Sequence, residues 1–461
     1  MGENLGLTEA VSIALGGMIG GGIYAVLGVV TRITGAATWA AFVLAGVVAL
    51  CAAYSYIRLN ELADQGGGSV TYIQCFTGNE TLAGMAGWTL LFGYVGSMAM
   101  YAFAFAEFAI SFPVVPESAA GLPLRSVISV SAVAGFVGLN LLGARATGTT
   151  ENVLVAAKVL VLVLFGLGGI AYALGISPSP PDVGAGRLLS TSPLMAAGVS
   201  FVAFQGWQLL FYDQERIVDP GETIREAIYV SIPAAVGIYV VVALATVNLA
   251  PEALTTHPHT ALKVAAERML SAVGIRRLGG LVIALSALFS TGSAINATLF
   301  SSGYFAKGLL SKGFLPDRVG DADADGVPPR LILGIGAITA LFSAWGSLDA
   351  VTSFASLAFI VVFGGVSYLA LRQRAQSSVH PVPPAVGLVG AAGFFPVMLY
   401  HLYAAERNTF YAVCALAAAV VAVEVLYFER STLAAEITEF EDLVDADVDP
   451  DIDPDVGLGS E

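Results

Sequence analysis

Charge is what this chain has least of. Only 12% of its 461 residues are Asp, Glu, Lys or Arg, against about a quarter in soluble domains, which excludes an ordinary water-soluble globular protein. Lysine is scarcest, at four of the twenty basic residues. With no basic patch, nucleic-acid binding has nothing to stand on. Cys51, Cys75 and Cys414 are odd in number, and two fall within or beside apolar runs, so neither a disulfide framework nor a metal site follows. Of the four histidines, His257, His259 and His380 fall in connectors and His401 at a segment end. No metal-ligating or Ser/His/Asp arrangement emerges, so no catalytic residue, cofactor or enzymatic activity is expected.

Apolar residues, by contrast, make up 56% of the chain. They fall into twelve stretches near 7–32, 36–57, 81–112, 124–143, 150–175, 193–212, 226–250, 277–309, 331–346, 349–371, 384–403 and 409–428. Crossing a bilayer takes about 20 such residues. The expected fold is therefore an all-α polytopic membrane protein with the lipid bilayer as its solvent. No basic residue precedes the first run and no small-residue cleavage site follows it, so it reads as a retained helix. With the N-terminus inside, connectors on that side carry eleven basic residues and the opposite side eight. Half of those eight lie in 263–277, which reads as a re-entrant or surface helix after Pro251. The positive-inside rule then places both termini in the cytoplasm of a multi-pass cell-membrane protein.

Residues 429–461 hold twelve acids and one arginine, most of the net charge of −15. This tail is too charged and Pro-interrupted to pack and reads as a solvated, disordered extension, with an unknown regulatory partner as the alternative. Asp321, Asp323 and Asp325 acidify one more loop; with the scarcity of lysine, they hint at a salt-adapted source.

The densest local signal is Gly16-Gly17-Met18-Ile19-Gly20-Gly21-Gly22-Ile23-Tyr24, set inside the first segment. Each glycine costs a helix interior roughly 1 kcal/mol relative to alanine, so the cluster predicts a break near mid-membrane. Freed backbone groups at that depth are tolerated where they line a cavity. The sixth segment carries a matching interruption, Ala203-Phe204-Gln205-Gly206-Trp207-Gln208, with a glycine between two amides. Paired breaks suggest two inverted five-helix repeats, residues 1–175 and 176–372, with discontinuous first and sixth helices. Two further helices in 373–428 and the tail 429–461 follow.

At this point the sequence resembles the amino acid, polyamine and organocation transporter superfamily, especially its amino acid permeases, over nearly the whole chain. The resemblance is carried by Gly17 through Tyr24, by Glu61-Leu62-Ala63-Asp64-Gln65-Gly66-Gly67-Gly68-Ser69-Val70-Thr71-Tyr72, by Asn152 through Lys158, by Phe204-Gln205-Gly206-Trp207, by Gln214-Glu215-Arg216-Ile217-Val218-Asp219-Pro220 and by Gly313-Phe314-Leu315-Pro316. Two departures stand out: Gln208 replaces an acid common after the sixth-helix aromatic, and Tyr304 replaces an arginine of the eighth-helix ending.

An amino acid brings two charges into a low-dielectric site, and both need polar partners. N–H groups at Gly20, Gly21 and Gly22 suit its carboxylate. Carbonyls of Ile19 and of Val202 through Gln205 suit its ammonium, an arrangement the resemblance also implies. Phe201, Phe204 and Trp207, with Tyr101 and Phe105 of the third segment, are candidates for side-chain selection. With no acid beside them, they favour a neutral or apolar amino acid. Lys158 lies deep in the fifth segment, where it either snorkels to the interface or faces the bundle. In family members with lysine here, the resemblance implies that its ammonium stands in for a sodium ion, which suggests proton coupling or sodium independence. If sodium does bind, Ser290, Thr291 and Ser293 are its candidate ligands, though packing is the default use of such hydroxyls. The expected function is a secondary active amino acid permease working by alternating access. An exchanger, a polyamine transporter and a non-transporting amino acid sensor are the alternatives.

Overall fold

The computed structural model describes residues 5–428 apart from 64–65, 117, 120, 143–147, 178–179, 213 and 325. The acidic tail, Asp325 and part of the Glu61–Tyr72 motif lie outside the described residues. Among the described residues fifteen α-helices follow one another: α1 (Leu7–Thr34), α2 (Thr38–Ala63), α3 (Gly68–Thr77), α4 (Glu80–Ile110), α5 (Leu124–Leu141), α6 (Gly148–Gly175), α7 (Ser192–Ser200), α8 (Pro220–Leu249), α9 (Ala253–Thr256), α10 (Ala261–Ser271), α11 (Arg276–Ser311), α12 (Pro329–Trp345), α13 (Leu348–Arg372), α14 (Val382–Ala405) and α15 (Arg407–Phe428). A two-residue hairpin, β1 (Ser118–Ala119) with β2 (Leu122–Pro123), closes one connector.

Among the described residues nine helical stretches are long and apolar enough to cross a membrane, and the first, Leu7–Ala63, runs through a 3₁₀ bend at Gly35–Ala37 and covers two crossings. The shorter Ser192–Phe204 and Pro329–Trp345 complete the correspondence with the stretches expected from the sequence. The expected surface helix after Pro251 is α10.

Helix α1 is the hub. It packs on α8, α11, α7, α6 and α4, and every residue from Ala14 to Thr31 is buried. Helix α4 crosses α11 and α13, α2 lies against α8 and α7, and α14 and α15 pack outside α13. The periphery keeps a two-faced pattern suited to lipid. On α6, Leu160, Leu164 and Leu167 are exposed, whereas Val155, Lys158, Leu162 and Phe165 form the buried stripe at helical spacing.

One expectation fails here. Helix α1 is not discontinuous: it runs unbroken from Leu7 to Thr34 through all five glycines of the cluster. A few kcal/mol of glycine propensity is outweighed by the several kcal/mol for each backbone group that a break would leave unpaired in an apolar medium. The glycines serve packing instead. A β-carbon at Gly17 would lie 2.8 Å from Gly206 Cα, one at Gly20 2.5 Å from the Ala294 β-carbon, and those at Gly21 and Gly22 would overlap the Tyr101 ring and the Tyr239 hydroxyl. Successive glycines thus admit four different neighbours to the α1 backbone.

The second interruption is present. Helix α7 ends at Ser200, tightens into a 3₁₀ turn over Phe201–Phe204, becomes extended at Gln205 and reverses at Gly206 before a second 3₁₀ turn over Trp207–Phe211. Gly206 has φ +136°, a conformation open to glycine and strained for other residues.

Candidate functional site

Breaking a buried helix strands its N–H and C=O groups, and neighbouring side chains take them up. Ser356 of α13 accepts from Val202 N at 3.1 Å and donates to Val199 O at 2.6 Å, bridging the end of α7. The Gly206 N–H donates to Gln208 Oε1 at 2.7 Å. From α8, the Tyr239 hydroxyl reaches Met18 O of α1 at 2.6 Å and Ala203 O at 2.9 Å.

A polar network grows from the break. The Gln205 amide nitrogen donates to the Tyr101 hydroxyl, and Gln208 Nε2 lies 3.3 Å from both Gln205 Oε1 and the Tyr94 hydroxyl. Tyr94 pairs with Tyr212 at 2.7 Å. The Tyr101 ring packs directly on Gly21, so the chain of groups leads from the α1 glycines to the far side of the break. All of these groups are neutral amides and phenols. At Tyr212 the network meets a cleft of about 460 Å³ bounded by Gly66, Gly67, Gln214, Glu215 and Tyr304, where two of the sequence motifs meet the end of α11. Beside it, Leu5 and Ile217 form a parallel bridge, with Leu5 N donating to Arg216 O at 2.8 Å and Val218 N to Leu5 O at 3.0 Å.

The opposite end is closed differently. Arg32 at the end of α1 pairs with Asp349 at the start of α13. The 3₁₀ turn Pro258–Thr260 presses Pro258 O against Gly28. His259 stacks on Phe103 with ring centroids 5.6 Å apart, and its Nδ1 is buried without a hydrogen bond. Burial holds this imidazole below the ordinary histidine range; Arg32 and Arg125 push the same way and Asp349 opposes.

The candidate residues divide. Gly21 packs on Tyr101, which receives the Gln205 amide, and Gly22 faces Tyr239 and Ala203, whereas Gly20 faces Ala294 of α11 and Ser290 donates to Ile19 O at 3.4 Å. Lys158 lies on the buried face of α6 and donates to Gly16 O at 3.1 Å. Thr291 donates to Ala287 O of its own helix at 2.7 Å, and Ser293 is half-buried. Val202 is buried at the break. Of the aromatic candidates, Tyr101 packs on Gly21 of α1 and Phe105 lies beside Gly292 of α11, whereas Phe201 packs on Phe363 and Phe394, Phe204 on Tyr239, and Trp207 on Tyr56 and Phe363. Sequence reasoning missed Tyr94, Tyr212, Tyr239 and Ser356. Each takes its partner from another element, so only the tertiary fold gives it one.

The amino acid permease family matches residues 5–423. The chain belongs to this family. Similar proteins include an uncharacterized protein of Methanocaldococcus jannaschii, 29% identical and covering 92% of this chain and 95% of its own length. An inner membrane transport protein of Escherichia coli is 27% identical over 87% and 90%. The mouse Asc-type amino acid transporter 1 is 25% identical over 68% of this permease and 59% of its own chain. Among solved structures, a manganese transporter of Eremococcus coleocola shares the fold with a TM-score of 0.61 at 12% identity, covering 93% of this chain and 94% of that one. The permease is thus a multi-pass membrane transporter by family and fold, and not an enzyme.

Proposed function

We propose that this permease is a secondary active transporter of neutral or apolar amino acids, coupled to protons and working by alternating access between two inverted repeats. The observation that carries the reading is the backbone contact between Gly17 and Gly206, which sets the α7 break against the glycine-rich stretch of α1 inside a layer of neutral hydrogen-bonding groups. The α1 helix pairs the N–H groups of Gly20, Gly21 and Gly22 itself, so the reading requires α1 to unwind locally there as it parts from α7 and Tyr101, freeing those N–H groups for a carboxylate and the carbonyls of Ile19 and of Val202 through Gln205 for an ammonium. Amides and phenols around the break suit an uncharged side chain and offer no counter-charge to a polyamine.

Proton coupling is assigned to Lys158. Its ammonium reaches the Gly16 carbonyl on α1, so loss of its proton weakens one attachment of α1 to α6, a change a transport cycle can use. Ser290, Thr291 and Ser293 of α11 are kept as the candidate ligands should sodium bind instead. Both termini are assigned to the cytoplasmic side of the cell membrane.

The test is uptake of radiolabelled amino acids into proteoliposomes without sodium, with and without an inward proton gradient. Accumulation of neutral amino acids only under the gradient, abolished by Lys158→Ala, is expected. Binding without uptake or counterflow would favour a sensor. Gradient-driven accumulation retained by Lys158→Ala would remove the coupling role.

A further inference from the structure

The cleft beside Tyr212 brings together three kinds of surface that the central site does not use. Its floor is apolar, made by the buried side chains of Val70, Phe211, Phe305 and Leu309. Lys312, which follows the end of α11, stands on its lining, and so does Glu215, beyond the α7 break. Both are exposed, and among the described residues neither forms an ion pair; the Lys312 ammonium donates instead to the Gln74 amide oxygen at 3.0 Å. One cation and one anion thus share a single concavity without neutralising each other. The volume of about 460 Å³ falls within the roughly 300–1,000 Å³ of small-molecule sites. Tyr212 separates this space from the central site, its hydroxyl 2.7 Å from that of Tyr94, which the Gln208 amide approaches at 3.3 Å. An amino acid that leaves the central site past this phenol pair arrives in the cleft.

We propose that the cleft is a second amino acid site, on the side assigned to the cytoplasm, which holds a zwitterion with its carboxylate at Lys312, its ammonium at Glu215 and an apolar side chain on the floor. This rests on the amino acid permease reading and deepens it. A simple carboxylate satisfies Lys312 but brings a like charge towards Glu215, and a simple amine does the reverse. A zwitterion answers both, and an apolar side chain covers the floor that its charged ends leave. Because both protein charges are exposed, each contributes at most about 1 kcal/mol. The second site is therefore the weaker one, filled where the amino acid has accumulated.

The experiment is equilibrium binding of radiolabelled L-leucine to the purified full-length protein, in wild type, Lys312→Gln and Glu215→Gln. Wild type is expected to show two classes of site, with a total of about two per protein. Each variant is expected to weaken the second class about fivefold, the upper end of what an exposed ion pair contributes, and to leave the first class unchanged. Competition by isocaproate, which lacks the ammonium, and by isoamylamine, which lacks the carboxylate, reads the two contacts separately. Relative to L-leucine, isocaproate should gain at the second class in Glu215→Gln, and isoamylamine should gain there in Lys312→Gln. A merely structural role for these side chains would weaken all three ligands alike, and that result overturns the proposal. So does wild type that binds L-leucine at fewer than two classes of site, a measurement independent of whether a variant folds. The permease reading itself fails only if no proteinogenic L-amino acid binds wild type at either class, an outcome seen before any variant is compared.

Discussion

Gly206 shows what a single residue contributes when both its conformation and its surroundings exclude a side chain. At φ +136° any other residue is strained, and a β-carbon there would lie 3.0 Å from the backbone of Gly17. Gly206→Ala should therefore destabilise the protein by at least about 1–3 kcal/mol from the backbone alone and abolish transport. Gly221→Ala, on an open face in the first turn of α8, should leave the melting temperature unchanged or slightly raised. A melting curve of Gly206→Ala that matches wild type would show that α1 and α7 do not approach as described. Glycine is also where the sequence was most easily misread. A break and a close helix contact both demand the missing side chain, so the cluster from Gly16 to Gly22 marked the right place while suggesting the wrong conformation. Gln205 and Gln208 were legible as amides needing partners. The partners, Tyr101 and Tyr94, lie 104 and 114 residues away in sequence, beyond the reach of any local pattern.

Among the elements, α7 is held least by itself and most by its neighbours. Ser356 of α13 serves both Val199 O and Val202 N, so the end of α7 is fixed to a different helix. Ser356→Ala leaves a donor and an acceptor unpaired in apolar surroundings, and a loss of about 1–3 kcal/mol is expected, read as a lower melting temperature of the purified protein and slower uptake. An unchanged melting temperature would mean that water enters and takes the place of the hydroxyl. The positions of the crossing helices, unlike these contacts, were legible almost throughout, because each is an apolar run bounded by charge, glycine or proline, and lipid enforces that pattern. The buried side of α6 was not: the sequence left Lys158 either snorkelling or facing inward. The outward stripe of Leu160, Leu164 and Leu167 settles its direction.

On the scale of the whole molecule, the site is shut at both ends by unlike closures, aromatic and hydrogen-bonded at Tyr94–Tyr212, ionic and titratable at Arg32–Asp349 with His259. Because burial lowers the pKa of His259 in the closed arrangement, that arrangement carries no penalty from this group above the ordinary histidine value of about 6.5 and loses stability as pH falls below it. Glu406, whose pKa burial and Asp349 raise, titrates in the opposite sense, so the comparison needs a variant. Hydrogen-exchange protection of residues 253–262, corrected for intrinsic rates, should fall between pH 7.5 and pH 5.5, and His259→Gln should reduce that fall. Equal loss in both proteins would assign the effect to another group. The shortness of Ser192–Phe204 has a consequence for how the protein is made. An apolar helix below the ~20 residues that cross a bilayer, followed by the amides of Gln205 and Gln208, partitions poorly from the ribosome-bound translocation machinery into lipid on its own. The longer α8 behind it is the natural anchor, so the segment bearing the site enters the membrane as a passenger, and its maturation during synthesis waits on helices that have yet to emerge.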